Sequence, residues 1–173
     1  MTTYRKEIIK SMKYLSAIGK VIFIGQEAKT FFGTMTDIPE DKIIQLPVME
    51  DAQLGMAIGM SIKGYIPVTL YRMDFFIIAM NQLVNQLDKI NEMSMGEYNP
   101  KVIMRVHVGY NHPVDIGPQH DGNYIEGIKK MVKNIDIYDL KDEKDILPSY
   151  IKAVQSDRSS ILVEYRKLLN KKE

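Results

Sequence analysis

Apolar residues at Ile8, Ile9, Met12, Leu15 and Ile18 return every three or four positions, the period of a helix with one buried face. The short apolar run Lys20-Val21-Ile22-Phe23-Ile24-Gly25 follows and predicts a strand. A polar connection through Gly33, Thr34, Thr36 and Pro39 leads to a second such run, Lys42 to Pro47. A helical stretch from Glu50 to about Lys63 comes next, ended by Gly64. The alternation continues with a strand at Ile66–Tyr71, a long helix from Asp74 to about Glu92, and a strand at Lys101–Val106. Beyond a loop rich in Gly, His and Pro, the pattern predicts a helix over Tyr124–Lys133 and a strand at Ile135–Tyr138. A helix over Lys144–Gln155 and a last strand at Ser160–Tyr165 complete it, with a frayed tail at Lys171-Lys172-Glu173. Strands this continuously apolar, each followed by a helix, predict an α/β fold: a mostly parallel sheet covered by helices on both faces, a three-layer sandwich. No linker, repeat or low-complexity tract interrupts the pattern, so residues 1–173 read as one domain.

Composition narrows the function classes. With 45% hydrophobic and 26% charged residues, the chain is neither disordered nor collagenous, and no apolar run is long enough to span a membrane. Twenty-three Lys and Arg against 22 Asp and Glu leave a charge of +1, which gives no basic field to hold nucleic acid. The absence of cysteine removes disulfides, Cys-ligated zinc and thiol catalysis together. The start Met1-Thr2-Thr3-Tyr4-Arg5-Lys6-Glu7 has no apolar segment of signal-peptide length, and the expected location is the cytoplasm.

In a parallel sheet, ligands bind beyond the carboxyl ends of the strands, so the loops after the strands are where chemistry is expected. Glu50 stands there, at the start of a helix and behind Val48 and Met49. Apolar neighbours raise a carboxyl pKa and a helix N-terminus lowers it, so Glu50 reads either as a tuned acid–base group or as an ordinary first-turn acid. His107, His112 and His120 fall in the Gly- and Pro-bearing loop of Gly109, Pro113, Gly117 and Pro118 at spacings of five and eight residues, which match no common zinc pattern. A loop His is an acid–base candidate near neutral pH, and His120 has a rigid approach in Gly117-Pro118-Gln119 and a turn, Asp121-Gly122-Asn123, behind it. That turn reads as helix initiation before it reads as a magnesium site. Phe75-Phe76 behind Asp74 is either core or a face for stacking a planar ligand. Gly55-x-x-x-Gly59 allows close approach of another element, within the chain or from a partner subunit. There is no Gly-rich phosphate loop and no Gly-x-Ser-x-Gly.

Together these pieces resemble the pyrimidine-binding domain of thiamine diphosphate enzymes, as in the central domain of transketolase and the beta subunits of pyruvate and branched-chain oxo-acid dehydrogenases. The likeness rests on motifs in matching order. They are Tyr4-Arg5, the strand ending in Gly25-Gln26, Pro47-Val48-Met49-Glu50 ahead of Gly55-Met56-Ala57-Ile58-Gly59, and Gly64-Tyr65-Ile66-Pro67. Asp74-Phe75, Ala79-Met80-Asn81-Gln82-Leu83-Val84-Asn85, Met93-Ser94 and Gly117-Pro118-Gln119-His120 follow. Gln26 and Asn81 stand where the family commonly carries acidic residues, and the connection from Gly25 to Pro47 is shorter than usual.

The resemblance implies catalytic roles for Glu50 and His120 and cofactor binding by Glu50, Phe75 or Phe76, and Gln26. Glu50 would hydrogen-bond the pyrimidine ring nitrogen and favour its reactive tautomer, Phe75 would stack on that ring with Phe76 as the fallback, and His120 would face the substrate. It implies no metal ligands here: the diphosphate and magnesium belong to a second type of domain, on an alpha-type partner chain, in an α2β2 heterotetramer. The chain stops near Tyr165, where a dehydrogenase beta subunit continues into a further domain. The implied activity is C–C cleavage or formation beside the carbonyl of an oxo acid or ketose. Two-carbon transfer of the transketolase type and a non-catalytic structural or regulatory subunit are the alternatives.

Overall fold

The computed structural model describes residues 3–109 and 117–169. Helix α1 (Tyr4–Ser16) starts at Thr3, whose hydroxyl accepts from the Lys6 amide at 3.4 Å, and buries Ile8, Met12 and Leu15. Strands β1 (Val21–Gly25) and β2 (Ile43–Gln45) precede α2 (Glu50–Ile62), which ends where Gly64 takes φ +90°. Strand β3 (Ile66–Arg72) runs into a winding segment, and β4 (Ile103–Val108), α5 (Ile125–Met131), β5 (Asp136–Asp139), α6 (Glu143–Gln155), β6 (Ser160–Tyr165) and the short α7 (Arg166–Leu169) complete the chain. All six strands are parallel in the order β2-β1-β3-β4-β6-β5. The α/β sandwich expected from the sequence is the observed fold.

Side chains of each strand alternate between two layers. Met104, Val106 and Val108 of β4 and Ile161 and Val163 of β6 pack with Leu54, Ala57 and Ile58 of α2. Ile103 and Leu162 face the other way, onto Ile8, Met12 and Leu15 of α1 and Ile146 and Tyr150 of α6.

The continuous helix expected over Asp74–Glu92 is instead broken. A turn of α-helix, α3 (Met73–Phe76), passes through a 3-10 turn at Ile77–Ala79 and a π-helical turn at Gln82–Leu87 before α4 (Ile90–Met93). The π turn rotates Asp88 inward, where it is 4% exposed and its Oδ1 accepts from the amides of Lys133 (2.8 Å) and Asn134 (2.7 Å). Two charge-assisted bonds to the Lys133 and Asn134 amides offset the loss of one turn of regular helix.

Candidate functional site

The carboxyl ends of β1 to β4 form one edge, and the loops leaving it carry Gln26, Glu50, Phe75 and His120 in turn. Helix α2 is fixed to that edge by Gln53, 1% exposed, whose Nε2 donates to the carbonyls of Ile24 (3.2 Å) and Leu70 (3.1 Å) across the β1/β3 pair. Gly25 makes room for it: a Cβ there would lie 3.1 Å from Gln53 Nε2 and 3.0 Å from Leu70 O. Glu50, one turn earlier on the same face of α2, is 5% exposed, with its carboxyl in the first turn where unpaired amides favour negative charge. Val48 is 60% exposed and does not cover Glu50, while Met49 is half-buried.

Phe75 and His120 are in contact, with ring centroids 5.5 Å apart at 70°. Their loops are joined by Asp74, whose Oδ1 accepts from the Gly122 amide at 2.8 Å, and Asn123 then starts α5 by accepting from the Ile125 amide at 3.3 Å. Asp121-Gly122-Asn123 is thus a helix-initiating turn. Phe76 is fully buried against Tyr71, with centroids 4.7 Å apart. Its face is taken by the core, which leaves the half-buried Phe75 as the ring available to a ligand and sets the Phe76 fallback aside. Gln26 is half-buried at the end of β1, and the next residue, Glu27, bonds Arg72 at the end of β3 (2.8 Å). Gly55 faces the Gln82 carboxamide at an ordinary 3.7 Å, while no atom lies within 4 Å of where a Cβ of Gly59 would be. Exposed apolar side chains, Ile77 (46%), Ile78 (53%) and Tyr124 (43%), rim the edge around Phe75 and His120.

His107 is not a loop residue. Strand β4 runs two residues further than the apolar pattern indicates, and places His107, 2% exposed, in the layer of α1 and α6. Arg105 on the same face is fully buried and makes a two-pronged contact with Glu164 of β6, Nε and Nη2 each 2.9 Å from a carboxylate oxygen. His107 Nε2 lies 2.8 Å from Glu164 Oε2, off the line of a good hydrogen bond, and Tyr150 also donates to Glu164. Burial pushes the Glu164 carboxyl up, but Arg105 and His107 overcome it and hold the group well below the usual carboxylate range. Burial pushes His107 down.

Above this cluster lies the loop after β1. Phe32 stacks on His107 at 4.3 Å and 18°, with its backbone in the left-handed region (φ +55°), and Arg105 Nη2 donates to Thr34 Oγ1 at 3.0 Å. The sequence signal for this anchor is Arg105 and His107 at period two within an apolar strand, matched by Glu164 within another. His112 lies outside the described residues.

A cleft of 370 Å³ is lined by Val108, Gly109, Asp121, Asn123, Tyr165 and Arg166, and His120 is not part of its lining. A larger, more open hollow of 470 Å³ lies at the β5 edge, away from these residues.

Comparison with known proteins places these features in a family. The family described as "Transketolase, pyrimidine binding domain" matches residues 8–172. The chain is 26% identical over 146 residues to the pyruvate dehydrogenase E1 component subunit beta of Saccharomyces cerevisiae, covering 76% of this chain and 38% of that one. It is 26% identical over 160 residues to the corresponding subunit of Rickettsia bellii, covering 84% and 46%. It therefore spans less than half the length of these curated relatives. Among solved structures it is similar to a split-gene transketolase described as an inactive beta4 tetramer (TM-score 0.71, 15% identity, 94% of this chain and 51% of that one). It is also similar to the transketolase of Campylobacter jejuni (TM-score 0.77, 14% identity, 94% and 25%).

Proposed function

Because the chain belongs to the family of transketolase pyrimidine-binding domains, we propose that it is the pyrimidine-binding subunit of a split thiamine diphosphate enzyme. It acts on an oxo acid or ketose, as a single domain in the cytoplasm. The diphosphate and magnesium are held by a separate partner chain, in an α2β2 assembly. Relatedness to dehydrogenase beta subunits supports the oxo-acid reading.

The observation that carries the proposal is the convergence on one edge of a 5% exposed carboxyl, Glu50, and an aromatic pair, Phe75 with His120, 5.5 Å between centroids. These groups fit a planar nitrogen heterocycle: a carboxyl shielded from water for a ring nitrogen and a half-buried ring for its face. When bound, thiamine diphosphate supplies an electron sink beside the substrate carbonyl. Glu50 holds a proton at the pyrimidine ring nitrogen. Phe75 orients the ring by stacking, and Gln26 bonds its periphery from the end of β1. His120, packed edge-on against Phe75, binds the substrate and moves a proton to or from its oxygen. The exposed apolar rim and the open side of Gly59 supply the contact with the partner chain.

The test is Glu50→Gln in the assembled enzyme. Loss of proton control at the ring nitrogen lowers turnover at least about tenfold to a hundredfold with assembly intact. Turnover within about a factor of two of the parent overturns the catalytic reading and leaves the non-catalytic subunit.

A further inference from the structure

The stretch that carries His120 is a single 3-10 turn, Pro118–His120, in which the His120 amide donates to the Gly117 carbonyl at 3.1 Å and no residue is buried. One such turn, with its poor hydrogen-bond geometry, does not fix a side chain in space. Two contacts tie it to the segment after β3. The His120 ring packs edge-on against Phe75, and the Gly122 amide donates to Asp74 Oδ1 at 2.8 Å. Consecutive residues of α3 thus meet alternate residues of the His120 stretch. The α3 side is the rigid one, because Met73 and Phe76, which bracket Asp74 and Phe75, are both fully buried.

Gly122 shows how close the approach is. A Cβ there would lie 2.6 Å from Asp74 Oδ1 and 2.5 Å from the Tyr124 ring and hydroxyl. Any other residue would displace the Asp74 carboxyl, the Tyr124 ring or both. The Gly122 backbone lies outside the left-handed region, so space rather than conformation calls for glycine. The start of α5 does not need Asp74, since Asn123 supplies the acceptor for the Ile125 amide at 3.3 Å. The Asp74 carboxyl is left with one evident task, the charge-assisted bond to Gly122.

We propose that Asp74 is a positioning residue for His120: its carboxyl clamps the Gly122 amide and so holds the His120 imidazole against Phe75. The inference rests on the function proposed above, which gives His120 and Phe75 their roles. Because Asp74 and Phe75 are consecutive, one turn of α3 holds both the ring that faces the heterocycle and the imidazole that faces the substrate. Their spacing is then set at α3, where the buried neighbours of Asp74 and Phe75 fix it, rather than by the exposed turn itself. The clamp needs an acceptor at the position of Oδ1, which asparagine also offers and alanine does not.

The test reads His120 directly. In the full chain the three histidines give three imidazole Cε1–H proton resonances, and His120→Gln assigns the one that matters. Asp74→Ala is expected to shift this resonance to the position it takes in Phe75→Leu, where the neighbouring ring current is gone, while the signal of His107 in the core stays in place. Asp74→Asn, which keeps the acceptor, is expected to leave it at the parent's position. Gly122→Ala, which crowds the same carboxyl out, is expected to reproduce the shift of Asp74→Ala, and the two changes together to add nothing further. It also supplies the reading if Asp74→Ala does not fold. A His120 resonance unmoved by both Asp74→Ala and Gly122→Ala overturns the inference, and so does Asp74→Asn behaving like Asp74→Ala. In the assembled enzyme, Asp74→Ala is expected to lower kcat by roughly tenfold to a hundredfold through misplacement of the imidazole, with Asp74→Asn restoring most of it. A parent-like kcat in Asp74→Ala also counts against it. The resonance measurement involves no cofactor, so failure of the function reading shows elsewhere, as full turnover by Glu50→Gln.

Discussion

Glu164→Gln keeps the shape of a side chain at the centre of the sheet and deletes the charge facing Arg105. Two charges about 2.9 Å apart attract by roughly 6 kcal/mol at an effective dielectric constant near 20. The amide recovers part of this as neutral hydrogen bonds, but Arg105, fully buried, keeps a charge with no counterion and cannot shed its proton. The expected loss is about 3–5 kcal/mol, a large part of the roughly 5–15 kcal/mol that holds a domain together. In urea at neutral pH, the midpoint should fall by about 1–3 M with the slope unchanged. The parent's advantage should fade in acid. The folded carboxyl titrates below the unfolded one, so its contribution is complete above the unfolded value near 4.3 and is lost as pH falls further. Adding Arg105→Met to Glu164→Gln removes the stranded cation and should cost less than Glu164→Gln alone. A loss below about 1 kcal/mol, or a double variant worse than the sum of its parts, would refute this account of the cluster.

Phe76→Ala, which empties a core position, should cost about 3–5 kcal/mol. Phe75→Ala should leave the urea midpoint close to the parent's while weakening thiamine diphosphate binding by the assembled enzyme, read by calorimetry. Asp88→Ala strands the amides of Lys133 and Asn134 and should lower stability by about 1–3 kcal/mol, measured by thermal unfolding. Burial keeps His107 below its ordinary value near 6.5, so on acidification the unfolded chain takes up the proton first. Stability should decline as pH falls through that value, and His107→Gln should flatten the decline between about pH 7 and 5.

The parts of the fold written in local periodicity were legible in the sequence: α2 and β6 start at the expected residues, and the parallel α/β sandwich follows from their alternation. The exceptions are tertiary. The long helix at 74–92 breaks because Asp88 answers two amides more than forty residues away. Strand β4 continues through His107 because the single buried carboxylate of Glu164 on the neighbouring strand compensates Arg105 and His107, two polar side chains that hydrophobicity alone would put in a loop. The motif resemblance singles out Glu50, Phe75 and His120 as candidates, and the contact of Phe75 with His120 through space carries no signal in the sequence. Gln53 carried no sequence signal of its own, since its meaning depends on which carbonyls the fold brings opposite it.

The most direct test of the central claim is purification of the tagged chain from its own source with thiamine diphosphate and magnesium present, measuring subunit stoichiometry and bound cofactor. The account predicts a one-to-one complex with an alpha-type chain that holds the diphosphate and magnesium, with about one thiamine diphosphate per pair. A chain that purifies alone and binds no cofactor under these conditions would contradict it.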